Sequence, residues 1–205
     1  ATNSLDEYII TDLERQGACI DSYGVGDAIA TSKHNPCFGN VYKLVEIDNQ
    51  PILKRSEDKA KLINPGFQIT YRVSKNGAHK VDVTCLRGDK TAQLVEAGDT
   101  VLLRSETDKS KYNTYYKGEY TAKPLHIQMM NDGKVCYEFS SIDLRRGYSH
   151  ENLRSFNPTE TRIINPHYYK VDISDELYDC KMTLIDKIIA DIEILKKSHK
   201  AGKST

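Results

Sequence analysis

Residues 67–86 alternate between apolar and polar side chains with a period of two, and the alternation reverses at Asn76-Gly77. Successive strand side chains point to opposite faces, so the pattern predicts two half-buried strands, Phe67–Val73 and Lys80–Leu86. Asn-Gly tolerates the positive φ angles of a two-residue hairpin turn, which makes the two strands antiparallel neighbours. An all-helical fold cannot accommodate this segment.

The same character extends over residues 40–140. Val41–Ile47 is β-rich, and Asp48-Asn49-Gln50-Pro51 is a turn leading into Ile52-Leu53-Lys54. A second hairpin is expected to join 126–130 to 134–139 through Asn131-Asp132-Gly133. We therefore expect a mostly antiparallel β region over 40–140 with one solvated face. Residues 141–156 read as a helix, and 157–172, with two prolines, as a connector. Ser174 is placed to cap a long helix whose stripe is Leu177, Met182, Ile185, Ile188, Ile189, Ile192 and Leu195. The basic tail, Lys196 to Thr205, is expected to fray. Residues 141–205 thus form a unit of C-terminal helices and tail.

Residues 1–39 differ. Ser4-Leu5-Asp6-Glu7 has the form of a capping box, with Leu5, Tyr8, Ile9 and Leu13 following at helical spacing and Gly17 as the stop. Ala18–Tyr23 is strand-like and closes on Gly24-Val25-Gly26. The order strand, helix, strand, glycine turn is one βαβ unit. Parallel strands need a sheet with several members, and no second such unit follows. The chain, which opens Ala1-Thr2-Asn3, is therefore expected to be part of a longer fold.

Twenty-nine Lys and Arg balance 29 Asp and Glu, leaving no net charge over 205 residues. That argues against a nucleic-acid binder or a polybasic membrane module, both of which need a positive field. A mean hydropathy of −0.58 and the lack of a long apolar run argue against a transmembrane helix. Thirteen Tyr with many Val and Ile argue against disorder. The five cysteines, Cys19, Cys37, Cys85, Cys136 and Cys180, are odd in number and widely spaced, which fits neither a disulfide framework nor a zinc site. Free thiols, no Asn-x-Ser/Thr acceptor and no signal peptide lead to the expectation of a cytoplasmic protein.

Two turns could carry chemistry. Thr2-Asn3-Ser4 stands where a strand enters a helix, and Gly24-Val25-Gly26-Asp27 follows the next strand. Ligands of α/β folds bind on loops after parallel strands, and glycines let a backbone approach a phosphate closely. The pair could cradle one phosphate. Asp27 counts against this, unless its carboxylate points away or holds a ribose hydroxyl or a metal. No two of the six histidines have metal-ligand spacing; His34 lies near the glycine turn and could reach a ligand, whereas His79 reads as solvated. No nucleophile elbow, Walker lysine or His-Glu-x-x-His motif is present. The run Lys54–Lys59 reads as a solvated loop, and Tyr112, Tyr115 and Tyr116 as an edge strand rather than a base-stacking platform.

Taken in order, Thr2–Tyr8, Ile20–Gly26, Val41–Val45, the lysines, Ser-Glu-Asp and Pro-Gly of 54–66, Pro124-Leu125, Gly133-Lys134, Tyr137-Glu138 and 174–185 resemble nicotinate phosphoribosyltransferases. The resemblance covers nearly the whole chain but only the C-terminal part of that family's longer one. It implies the last strands of an irregular α/β barrel, then the antiparallel β region and helices. It also implies formation of nicotinate mononucleotide from nicotinate and phosphoribosyl pyrophosphate, coupled to ATP hydrolysis with magnesium, in a homodimer. The family's Ser-Asn-Asp-like turn falls on Thr2, Asn3 and Ser4, and its Gly-Val-Gly-Thr turn on Gly24, Val25, Gly26 and Asp27; these loops would hold the 5′-phosphate and ribose. Asp27 stands where the family has Thr, which removes a neutral donor. The phosphorylated histidine, the nicotinate-binding arginine and the acidic metal motif match no residue here, so no catalytic residue is assigned and the chain alone is expected to be inactive. Two other classes stand beside this one: a non-catalytic relative serving as an interaction domain, and a phosphoribosyltransferase for nicotinamide or quinolinate.

Overall fold

The computed structural model describes residues 1–37, 39–54 and 62–201. The solvated-loop reading of 54–59 and the Ser-Glu-Asp match thus fall mainly outside the described residues, as do residues 202–205 of the tail. Two compact units are present. The first comprises Ala1–Tyr42 with Arg162–Pro166, and the second Lys43–Thr161 with His167–Thr205.

The first unit contains the helices α1 (Glu7–Arg15) and α2 (Asp27–Thr31). Asp6, not Ser4, caps α1: its Oδ1 accepts from the Tyr8 and Ile9 amides at 3.0 and 2.8 Å. Asn3 and Ser4 are both left-handed, with φ of 83° and 51°, so the chain is still turning where a capping box would need an extended Ser4. Gly17, at φ 77°, follows the C-cap Gln16 as expected. The two expected strands make a single rung. The Ala1 amino group donates to Ser22 O and the Gly24 amide to Ala1 O, each at 2.7 Å, which is the parallel-sheet pattern about Ala1 and Tyr23. The Tyr23 hydroxyl donates to Glu14 and ties this segment to α1.

The second unit is built on a six-stranded sheet. Its members are β3 (Gln68–Lys75), β4 (Ala78–Leu86), β5 (Val101–Ser105), β6 (Tyr112–Tyr115), β7 (Thr121–Pro124) and β10 (Val171–Ile173), in the order β6-β5-β10-β4-β3-β7. Two small antiparallel pairs stand apart, β1 (Glu46–Ile47) with β2 (Gln50–Pro51) and β8 (Met130–Asn131) with β9 (Lys134–Val135). The hairpin at Asn76-Gly77 forms as read, with φ of 53° and 76° at the turn. The turn at Asp132-Gly133 also forms, but its strands are two residues each rather than five or six.

Two elements depart from the sequence reading. Residues 90–97, inside the β region, form α3 (Lys90–Ala97); Asp89 accepts from the Ala92 amide at its start and Gly98 is left-handed at its end. The connector supplies β10, which pairs parallel to β4 and antiparallel to β5. The sheet is therefore mixed, antiparallel everywhere except at β10–β4.

One sheet face forms the core: Tyr71, Val73, Val81, Val83, Cys85, Val101 and Leu103 pack with Ala92 and Val95 of α3 and with Tyr120. Burying each valine and leucine of this set is worth about 1.5–3 kcal/mol. The opposite face is not left to solvent. α6 (Asp175–Ala201) lies against β4, burying Leu177 beside Ile173, and Ser174 Oγ caps it by accepting from the Leu177 amide at 3.2 Å. Lower on this face Arg72 grips Asp82 through two hydrogen bonds of 2.9 and 2.8 Å, with its guanidinium over the rings of Phe156 and Tyr169. His79 is half-buried rather than solvated: Nδ1 lies 3.0 Å from Ser74 Oγ and the ring meets Phe156 edge to face. β6 is an edge strand as read, and its Tyr115 hydroxyl donates to the fully buried Asp172.

The remaining helices are α4 (Ile142–Ser155), capped by Ser141, and the four-residue α5 (Pro158–Thr161). α6 runs to Ala201, five residues past the start of the tail that was expected to fray. All five cysteines are free. No described helix is long and apolar enough to cross a membrane.

Candidate phosphate and ribose site

The Ala1–Ser22 and Gly24–Ala1 bonds draw the two N-terminal turns together. Between them lies a hollow of about 250 Å³. Thr2, Asn3, Ser4, Gly24, Gly26 and Asp27 all line it, as do Asp6 and Lys33. Val25, half-buried between its two glycines, does not.

The two glycines act differently. A Cβ on Gly24 would sit 3.1 Å from Thr2 Oγ1 and 3.4 Å from Thr2 Cβ, so a glycine there lets the turns close on one another. A Cβ on Gly26 would meet nothing within 4 Å. That position faces open space, which the surrounding residues leave free. Thr2 Oγ1 also donates to Gly24 O at 3.4 Å.

Three charged residues line the hollow: Asp6, Asp27 and Lys33. The Ile9 amide, helped by that of Tyr8 and by His34, holds Asp6 below the usual carboxylate range. Its lone pairs are directed into the first turn of α1, and its other oxygen is 3.7 Å from His34 Nε2. His34 therefore packs on Asp6 and, edge to face at 5.1 Å, on Tyr8; it is not among the lining residues. The cation of the hollow is instead its neighbour. α2 ends after five residues at Ser32, left-handed at φ 47°, and this reversal returns Lys33 to the turns. The early left-handed stop is not encoded by any glycine, so sequence reasoning passed over Lys33.

Hydroxyls, backbone amides, a lysine and a carboxylate around one small hollow suit a phosphorylated sugar, with amides and lysine toward phosphate and carboxylate toward hydroxyls. Among the described residues no three His, Cys, Asp or Glu side chains come together as a metal-binding group.

A model of the nicotinate phosphoribosyltransferase C-terminal domain matches residues 68–181. The nicotinate phosphoribosyltransferase of Bacillus subtilis (strain 168) is 31% identical over 198 residues, 94% of this chain and 39% of that relative. The Dictyostelium discoideum nicotinate phosphoribosyltransferase is 29% identical over 184 residues, 87% of this chain and 31% of its own length. The crystal structure of human Nicotinic Acid Phosphoribosyltransferase superposes with a TM-score of 0.65 at 20% identity, over 90% of this chain and 32% of that one. That likeness fits the fold class read from the sequence, α/β followed by β with C-terminal helices. The chain spans about two fifths or less of the length of these relatives. It belongs to the nicotinate phosphoribosyltransferase family, and the part of the family it represents includes the C-terminal domain.

Proposed function

We propose that this chain supplies part of the phosphate and ribose site of an enzyme that joins nicotinate to phosphoribosyl pyrophosphate. The observation that carries the proposal is the closure of both N-terminal turns around one hollow, with open space at Gly26. In the reaction the nicotinate nitrogen attacks the anomeric carbon as pyrophosphate leaves. The sugar passes through an oxocarbenium-like state, so its position must be fixed while charge moves away from it. The residues of this chain would do the fixing. Amides of the glycine turn and Lys33 hold the 5′-phosphate, and Asp27 accepts from a ribose hydroxyl. That role suits Asp27, whereas a carboxylate set against the phosphate would repel it. ATP and magnesium enter only through the family resemblance.

The test is a titration of the complete enzyme with phosphoribosyl pyrophosphate. Gly26→Val adds bulk where the protein itself has none within 4 Å, so it obstructs a ligand without striking a protein atom, and far-UV circular dichroism checks that the turn, at φ −108° and ψ −92°, accepts the valine. Losing one charge-assisted hydrogen bond costs roughly 1.5–3 kcal/mol, which weakens binding about tenfold to a hundredfold. Asp27→Thr weakens binding too if the carboxylate holds ribose; tighter binding, most marked at low salt, would place it against the phosphate instead. Unchanged affinity in the Gly26 variant would make the turn purely structural. The 205-residue chain by itself, given nicotinate, phosphoribosyl pyrophosphate, ATP and magnesium, should form no mononucleotide.

A further inference from the structure

A second hollow, about 700 Å³, lies in the second unit between the sheet and α4. A helix over a sheet normally turns its apolar stripe inward. α4 does the reverse. Arg145, Tyr148, Asn152 and Ser155, at steps of three and four residues, line the hollow. Ile142 and Leu144 are 69% and 68% exposed, and α4 has no buried residue. The sheet answers with polar groups of its own, Arg72, Ser74 and His79. The helix and the sheet therefore do not close on one another, and the gap between them mixes charged and hydroxyl groups with a larger apolar surface.

The charges in this gap are unbalanced. Arg72 is neutralised by Asp82, whereas Lys123 and Arg145 have no ion-pair partner among the described residues. Glu151 is the opposing carboxylate on the wall. Tyr137 and Tyr148 add two aromatic rings, with Pro124, Leu125 and Ile127 beside them. His79, on the sheet wall, has its Nε2 buried with no hydrogen-bond partner among the described residues, and that atom is closed off from the hollow.

Two unpaired cations with aromatic walls call for an anion that carries a flat ring. The volume lies well inside the range of small-molecule sites, about 300–1,000 Å³, and is generous for a single-ring acid. We propose that this hollow binds a nucleotide, with its phosphates on Lys123 and Arg145 and its base against Tyr137 and Tyr148. The site is separate from the hollow between the N-terminal turns and does not depend on the reading given to that one. A nucleotide here would act as a regulator or as a structural ligand, since no reacting group of the proposed chemistry lies in this hollow.

Calorimetric titration of the 205-residue chain with ADP tests the proposal, with adenosine and inorganic phosphate titrated separately. One saturable ADP site is expected, with neither half-ligand binding as tightly. Lys123→Ala and Arg145→Ala, both at exposed positions that leave the fold intact, should each weaken ADP about tenfold, and Arg145→Lys should lose less. Tyr148→Ala should weaken it several-fold through lost stacking. Gly26→Val should leave it unchanged. Absence of saturable binding overturns the proposal, as does ADP affinity indifferent to both cation variants. Inorganic phosphate binding as tightly as ADP overturns the nucleotide assignment. Loss of ADP binding in the Gly26 variant alone would put the nucleotide between the N-terminal turns, sinking this site while leaving the proposed function intact.

Discussion

Replacing Arg72 by Met separates a buried ion pair from a decorative one. The Arg72 and Asp82 side chains are only 19% and 16% exposed. Exposed pairs are worth about 0–1 kcal/mol, whereas removing one partner of a buried pair costs about 3–5 kcal/mol, because the other charge stays behind without compensation. Met keeps the aliphatic bulk against Phe156, so the loss is chiefly electrostatic. Asp82 retains one donor, the Tyr169 hydroxyl at 3.2 Å, which places the expected loss at the lower end, about 3 kcal/mol. The guanidinium contact with Phe156, 5.1 Å from the ring centre, adds about 0.5–1 kcal/mol. With a urea m-value of about 2 kcal/mol/M, the unfolding midpoint should fall by roughly 1.5–2 M, read by far-UV circular dichroism. Asp82→Asn in the Arg72→Met background should then cost little, a coupling of about 2 kcal/mol between the two sites. A loss under about 1 kcal/mol, or additive single variants, would show the pair to be effectively solvated and would refute this reasoning.

Two further outcomes concern the sheet and its approach. Burial holds Asp172 above the ordinary carboxylate range, outweighing Lys170, Tyr115 and Asn113, which favour its ionised form. Its folded pKa thus exceeds its unfolded one, so its stabilisation is full below the unfolded value and is lost as pH rises through the folded value. Relative to Asp172→Asn, the native chain should therefore lose stability as pH rises from about 4, and parallel urea midpoints for the two proteins would contradict this. Gly66 has φ 79°, and a Cβ there would stand 2.6 Å from Leu86 Cδ2. Gly66→Ala should cost about 2 kcal/mol, mostly from the left-handed backbone because the Leu86 tip can move; an unchanged midpoint would argue that the turn relaxes.

What could be read from the sequence was whatever short-range chemistry alone determines. The Asn76-Gly77 hairpin was legible because both the turn dipeptide and the alternation on either side of it are local. Ser174 announced α6 for the same reason. β10 was not legible: its three residues become a strand only because β4 and β5 offer edges on both sides. The converse holds for Val41–Val45, whose β-branched composition finds no ladder in the described structure. α3 carried its signals, Asp89 and Gly98, but two turns of helix inside a β-rich region were outweighed by their surroundings. At the candidate site the glycine and Thr-Asn-Ser turns were visible as motifs. Lys33 was not, since its position depends on a left-handed Ser32 that no residue type demands.

The place of β10 governs how this sheet can come into being. β4 and β5 do not bond to each other; residues 171–173 stand between them and bond to both. During synthesis the chain emits β3, β4, β5, β6 and β7 before the strand that unites them. Until some 65 further residues have followed β5, the two halves, β4-β3-β7 and β6-β5, each present an inner edge with unpaired amides and carbonyls. Such edges invite pairing with other chains, and contacts this distant in sequence form slowly. A message cut short before the codon for Val171 would thus yield a protein whose hairpins are intact yet whose centre is missing, predisposed to aggregate rather than merely to lack its last helix.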